Sequence, residues 1–231
     1  MRHLRVVLLG ALVVWGVPGF GAGAPEFFRA PCAPRVYSEA TLTRTLRGLN
    51  ALRAEYLSRG GYKAFHMSTH ERDEDQRQGV TYLTEEQRRQ HRVFFCLQTN
   101  GAVRLCDIEG KLIDTRVAQA FRTDRAYRAL FVMDMAGHFY ISSYQRDREF
   151  HHSSFFGDAP IAAAGEIEVI DGVVVFMGDR TGHFPYSDIF LQALIELERR
   201  EVDLNGIEIG RWDGSSTYTY TKYVPLDREL N

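Results

Sequence analysis

Apolar and polar residues recur along the chain with two different periods, and the changes between them mark its elements. Ser38 and Glu39 open a helical stretch running to about Leu57, in which Leu42, Leu46, Leu49, Leu52 and Tyr56 fall at three- and four-residue spacing before Gly60-Gly61 ends it. His70 to Gln78 is charged and polar throughout and reads as a solvated loop or helix face. Thr84 and Gln87 form a capping box for a short helix to Gln90, with Glu85 and Glu86 at the positive end of its dipole.

From Val93 onward the period is that of strands. Val93 to Gln98 and Ala102 to Ile108 flank the turn Asn100-Gly101, and Lys111 to Thr115 follows Glu109-Gly110, which predicts a meander. Ala129 to Met135 and His138 to Tyr144 form a hairpin around Ala136-Gly137; Ala163 to Ile170 and Val173 to Met177 form another around Asp171-Gly172. Ser187 caps a helix from Asp188 to about Arg200, whose apolar face is Ile189, Phe190, Ala193, Leu194 and Leu197. Ile207 to Arg211 is a further strand, and Ser216 to Tyr223 alternates Thr and Tyr as a half-exposed strand does. Successive hairpins with helices before and after them predict a single-domain α+β fold with a mainly antiparallel sheet and no parallel βαβ repeat, over residues 38–231.

Composition narrows the function classes. A chain of 231 residues with 45% hydrophobic residues can bury a substantial core. Its net charge of -2 supplies no general attraction to nucleic acid or anionic membranes. Residues 1–24 read as an export signal: Arg2, His3 and Arg5 precede the apolar run Val6 to Val17, and the small residues from Gly19 to Ala24 offer cleavage after Gly21, Gly23 or Ala24. The apolar run falls short of the roughly 20 residues of a membrane span. Residues 25–37 form a linker rich in proline. The expected location is therefore secreted or periplasmic, with no membrane contact after cleavage.

Three cysteines, Cys32, Cys96 and Cys106, remain after such a cleavage, so one disulfide and one free thiol fit an oxidising compartment. With Asn100-Gly101 as a two-residue loop, Cys96 faces Leu105 and the two hairpin sulfurs point apart; a one-residue bulge brings Cys96 opposite Cys106. Cys32 is an equally good partner for either. None has the spacing of a zinc site.

The densest chemistry lies between Phe150 and Tyr186. A two-residue loop at Asp171-Gly172 pairs Ile170 with Val173 and Glu166 with Met177, placing Gly165, Ile167, Val169, Val174, Phe176 and Gly178 on one core face. Glu166 and Glu168 take the other face. Extending this register brings His183 level with Pro160, so the segment His151-His152-Ser153-Ser154 meets Thr181-Gly182-His183 at the open end of the hairpin. Imidazole, hydroxyl and carboxylate groups brought together can do acid-base or nucleophilic chemistry, with His152 or His183 activating Ser153 or Ser154 and Glu166 orienting the ring. No G-x-S-x-G nucleophile elbow is present. His151, His152, His183 and Asp179 have metal-ligating side chains, but adjacent histidines on an extended chain point to opposite sides, and no metal is assigned. Phe155, Phe156, Phe184 and Tyr186 would line a cleft for a glycan, nucleotide or peptide. The bland alternative is that the histidines tie loops to strand ends. No cofactor is indicated.

The segment from Phe150 to Phe176, followed by Thr181 to Leu204, resembles the C-terminal domain of the plant IQM family of calmodulin-binding proteins, and the likeness extends upstream to about Tyr82. His152, Ser153, Ser154 and Phe155 match its HSSF element, Ala163, Ala164 and Gly165 its AAG, and Gly182, His183 and Phe184 its Gly-His-aromatic element. Plant members commonly carry arginine where this chain has Glu166, which leaves His152, Ser153 and His183 as the better candidates. A looser likeness links these segments to bacterial toxin and effector domains. The resemblance implies calmodulin as a partner, yet in Leu42 to Arg53 the IQ pattern meets only Arg47-Gly48, and Thr43 stands at the glutamine position. Two functions follow as expectations: a ligand-binding or catalytic cleft where HHSSF meets TGHF, acting on a small molecule, or a non-enzymatic module holding a protein partner.

Overall fold

A computed structural model describes residues 35–117, 128–146, 148–181, 184, 188–212 and 218–223. All of them lie in one unit, Pro31–Asn231. The expected leader, Cys32, Gly182, His183, Tyr186 and Ser187 lie outside the described residues.

The helices form where capping and periodicity place them. Helix α1, Glu39–Arg59, starts at the Ser38 hydroxyl, which accepts the Thr41 N–H, and ends at Gly60 with φ 68°. Its buried face is Thr41, Thr45, Leu49 and Leu52. The polar run folds as α2, Thr69–Gln78, between the Ser68 cap and Gly79. Helix α3, Glu85–Arg89, has the predicted capping box of Thr84 and Gln87. Two more helices follow: α4, Ser153–Phe156, and α5, Leu191–Arg199. Helix α5 begins later than expected. Asp188 instead gives its carboxylate to Arg211 at 2.7 Å.

Among the described residues the strands are β1 (Val36–Tyr37), β2 (Phe94–Leu97), β3 (Val103–Cys106), β4 (Ala129–Met133), β5 (Phe139–Ser142), β6 (Ala163–Ile170), β7 (Val173–Gly178), β8 (Glu208–Trp212) and β9 (Tyr218–Lys222). Strands β2 and β3 pair alone; the rest form a sheet of order β1-β9-β8-β7-β6-β4-β5. The fold is α+β as expected, but the sheet is mixed: β7 and β8 are parallel, as are β1 and β9. Between β7 and β8 the chain crosses over through α5, a single βαβ connection. One short helix flanked by hairpins does not repeat, so no periodic βαβ pattern announces it.

One face of the sheet packs against α1 and α5 through Leu49, Leu52, Ile167, Val169, Leu191 and Leu194. The other, over β4 and β6, is covered by Phe65, Phe150, Phe155 and Ile161. Strand β6 is therefore buried nearly throughout, which explains its run without strict alternation. At Gly165 a Cβ would come within 2.2 Å of the Gly178 carbonyl oxygen and 2.8 Å of the Phe131 ring, so only glycine lets β6 approach its neighbour there.

The β6–β7 register departs from the simple hairpin. Ile170 pairs with Val173 and Val169 with Val174, but Glu168 then faces Phe176, Ile167 faces Met177 and Glu166 faces Gly178. Val175 is the extra residue of a β-bulge. Beyond it every side chain changes face: Met177 joins the α1/α5 core and Phe176 turns to the side of Glu166. The Thr115 hydroxyl braces this point, bonding to both the N–H and the carbonyl of Val169 at 3.0 and 3.2 Å.

The β2–β3 hairpin is also shifted. Gln98 and Ala102 bond across a three-residue loop in which Gly101 has φ 81°. Cys96 consequently faces Arg104 and lies diagonal to Cys106, on the same side, and the two form a disulfide with Cα atoms 6.1 Å apart. The third meander strand shrinks to a single bridge between Leu112 and Cys106, followed by a 3-10 turn at Thr115–Val117.

Candidate functional site

The HHSSF segment folds into a tight turn and α4 laid against β6. His152 is buried, and its ring Nε2 shares a hydrogen bond with the Gly165 carbonyl at 2.9 Å. The Ser154 hydroxyl accepts the His151 N–H at 3.0 Å, and His151 Nε2 accepts the Arg148 N–H at 3.1 Å. Phe155 is wholly buried and belongs to the same apolar cluster as Phe184. The Thr181 hydroxyl donates to the Phe184 carbonyl. Ser153 presents a buried hydroxyl with no hydrogen-bond partner. His183 and Tyr186 lie outside the described residues. The two adjacent histidines bond to different partners, although His152 has helical rather than extended backbone.

Glu166 is brought to a group that sequence reasoning missed. Its Oε2 accepts the Tyr218 hydroxyl at 2.8 Å and stands 3.5 Å from Arg128 Nη1. The Arg128 guanidinium lies 4.0 Å from the Phe176 ring centroid and 4.7 Å from that of Tyr218, and donates to the Tyr220 hydroxyl at 3.0 Å. Burial and the Glu166 charge raise the Tyr218 hydroxyl well above its ordinary value, so it stays a donor. The signal in the sequence was the alternation of Tyr218 and Tyr220, which puts both on one face of β9; nothing local pointed to Arg128.

A second polar group closes the carboxyl ends of β7 and β8. Asp179 accepts the Trp212 N–H at 2.6 Å and lies 3.7 Å from Arg211. Burial pushes its carboxyl up to about 6, with Trp212 and Arg211 opposing the shift. Arg180 sits over the Trp212 ring at 4.4 Å. Among the described residues no three His, Cys, Asp or Glu side chains converge as a metal site, and no helix is long and apolar enough to cross a membrane.

These features define an α+β domain with a mixed sheet and a buried charged group across its central strands. Residues 102–189, which carry the sheet's centre, match the IQ motif-containing protein middle domain. The likeness to the IQM family is thus shown, and it is to that middle domain rather than a C-terminal one. IQ domain-containing protein IQM5 of Arabidopsis thaliana is 30% identical over 139 residues, covering 60% of this chain and 26% of the relative. IQ domain-containing protein IQM3 of the same plant is 29% identical over 121 residues, covering 51% and 26%. The chain therefore spans about a quarter of the length of these curated relatives. No solved structure matches.

Proposed function

We propose that this chain is a non-enzymatic protein-interaction module built on an IQM middle domain, with calmodulin the first partner to test. The observation that carries this reading is the use made of the candidate catalytic groups. His152 anchors the Gly165 carbonyl, Ser154 closes the turn at His151, and Glu166 holds Tyr218 and Arg128. Each serves to fasten a loop or strand. The names of the relatives, IQ domain-containing proteins, agree with a protein partner. In the folded domain Thr45, Leu49 and Leu52 of α1 are buried, so calmodulin would meet the opposite side of this helix, where Arg47 is exposed.

Calorimetric titration of the full chain with calmodulin, in calcium and in chelator, tests the reading. A saturable complex that Arg47→Glu weakens at least tenfold is expected. Absence of a complex in both conditions removes calmodulin.

A ligand cleft is the second reading, supported by the unpartnered buried hydroxyl of Ser153 beside Phe155. A library of small ligands that raises the melting temperature of the parent and not of Ser153→Ala would favour it. Export is part of either proposal and is supported by the Cys96–Cys106 bond, which suits an oxidising compartment. Intact mass of the secreted chain should show a new N-terminus after Gly21, Gly23 or Ala24; a retained Met1 refutes cleavage.

A further inference from the structure

Strands β7 and β8 are parallel neighbours, so their carboxyl ends lie side by side, the place where sheets with crossover helices commonly hold ligands. Arg180 follows β7 and Trp212 ends β8, with the guanidinium carbon 4.4 Å from the ring centroid. Arg180 Nη1 is buried and has no hydrogen-bond partner. A guanidinium carries five N–H donors in a planar fork that matches an oxyanion through two parallel bonds, and a charged donor buried without an acceptor is costly. Stacking on the indole fixes the plane of that fork in advance.

Among the described residues no acid pairs with Arg180 Nη1. Asp179 directs one oxygen to the Trp212 N–H and stands 3.7 Å from Arg211 through the other, while Asp188 pairs with Arg211 at 2.7 Å.

We propose that Arg180 and Trp212 form a binding site for an oxyanion-bearing ligand, a phosphate or carboxylate group, at the carboxyl ends of β7 and β8. The guanidinium supplies the paired donors and the indole its platform. This site does not depend on a calmodulin complex.

Trp15 and Trp212 are the two tryptophans of the chain, so the full chain carrying Trp15→Phe reports on Trp212 alone. Its fluorescence is titrated with phosphate and with acetate, each against chloride at equal ionic strength. A saturable change is expected with at least one oxyanion, and the one with the lower midpoint identifies the group preferred. Arg180→Gln should abolish the saturable change, and Arg180→Lys, which keeps the charge and loses the fork, should raise the midpoint at least tenfold with an unchanged far-ultraviolet circular dichroism spectrum. Melting temperature is the second measure: the preferred oxyanion should raise it in the parent and by less in Arg180→Lys. A response no different from chloride, or an unchanged midpoint and equal thermal shift in Arg180→Lys, overturns the proposal.

Discussion

His152 and Gly165 are joined by a 2.9 Å hydrogen bond between an imidazole nitrogen and a strand carbonyl, thirteen residues apart in sequence. The bond ties the HHSSF turn to the middle of β6. The same glycine lies in close contact with β7 and Phe131, so one position serves both the turn and the sheet.

Replacing His152 with alanine leaves the Gly165 carbonyl buried without this bond, and a chemical denaturation midpoint should register a loss of about 1–3 kcal/mol. His152→Gln, which retains a donor on a side chain of similar reach, should recover part of it. A His152→Ala variant as stable as the parent would show that the tether contributes nothing.

Breaking the Arg128–Glu166 pair should cost more. Both side chains are nearly inaccessible, at 6% and 2% exposure, so Arg128→Ala strands a buried carboxylate and is expected to lose about 3–5 kcal/mol. Arg128→Met combined with Glu166→Gln removes both charges and should be more stable than Arg128→Ala alone. Urea unfolding of the three proteins decides the order.

Asp179 gives the domain a dependence on pH. Its carboxyl is raised by burial from 3.8 to about 6, so the folded state holds the proton more tightly than the unfolded chain. Stability from this group is present below its unfolded value and is lost as pH rises through its folded value. Asp179→Asn should consequently stabilise the domain near pH 7, by at most about 3 kcal/mol, and match the parent near pH 4. Denaturant midpoints across that range provide the check; a constant difference at all pH values would contradict it.

The Cys96–Cys106 bond closes a short loop, with a sequence separation of 10. Changing both cysteines to serine should lower stability by about 2–3 kcal/mol, and reducing agent should lower the parent's melting temperature by a similar margin while leaving the double variant unchanged. Equal effects of reductant on both would place the sensitive thiol elsewhere.

The candidate site was legible only in part. The Asp171-Gly172 turn led to the expectation that HHSSF approaches the segment beginning at Thr181; Phe155 and Phe184 share one cluster, while Gly182 and His183 lie outside the described residues. The identity of the groups around Glu166 was not legible, because Arg128, Tyr218 and Tyr220 arrive from β4 and β9, far away in sequence. Arg180 and Trp212 likewise meet only because β7 and β8 are neighbours in the sheet.

By itself the sequence determined the elements: the capped ends of α1 and α3, the paired strands of each hairpin and the likeness to the IQM family, all written in periods, caps, turns and motifs of adjacent residues. Tertiary structure alone decided the parallel crossover, the faces beyond Val175 and the partners of each buried charge. The bulge at Val175 shows the reason. A side-chain period of two leaves local residues unchanged when the register slips by one, yet exchanges the faces that Phe176 and Met177 occupy, and only packing on both sides of the sheet selects between the two registers.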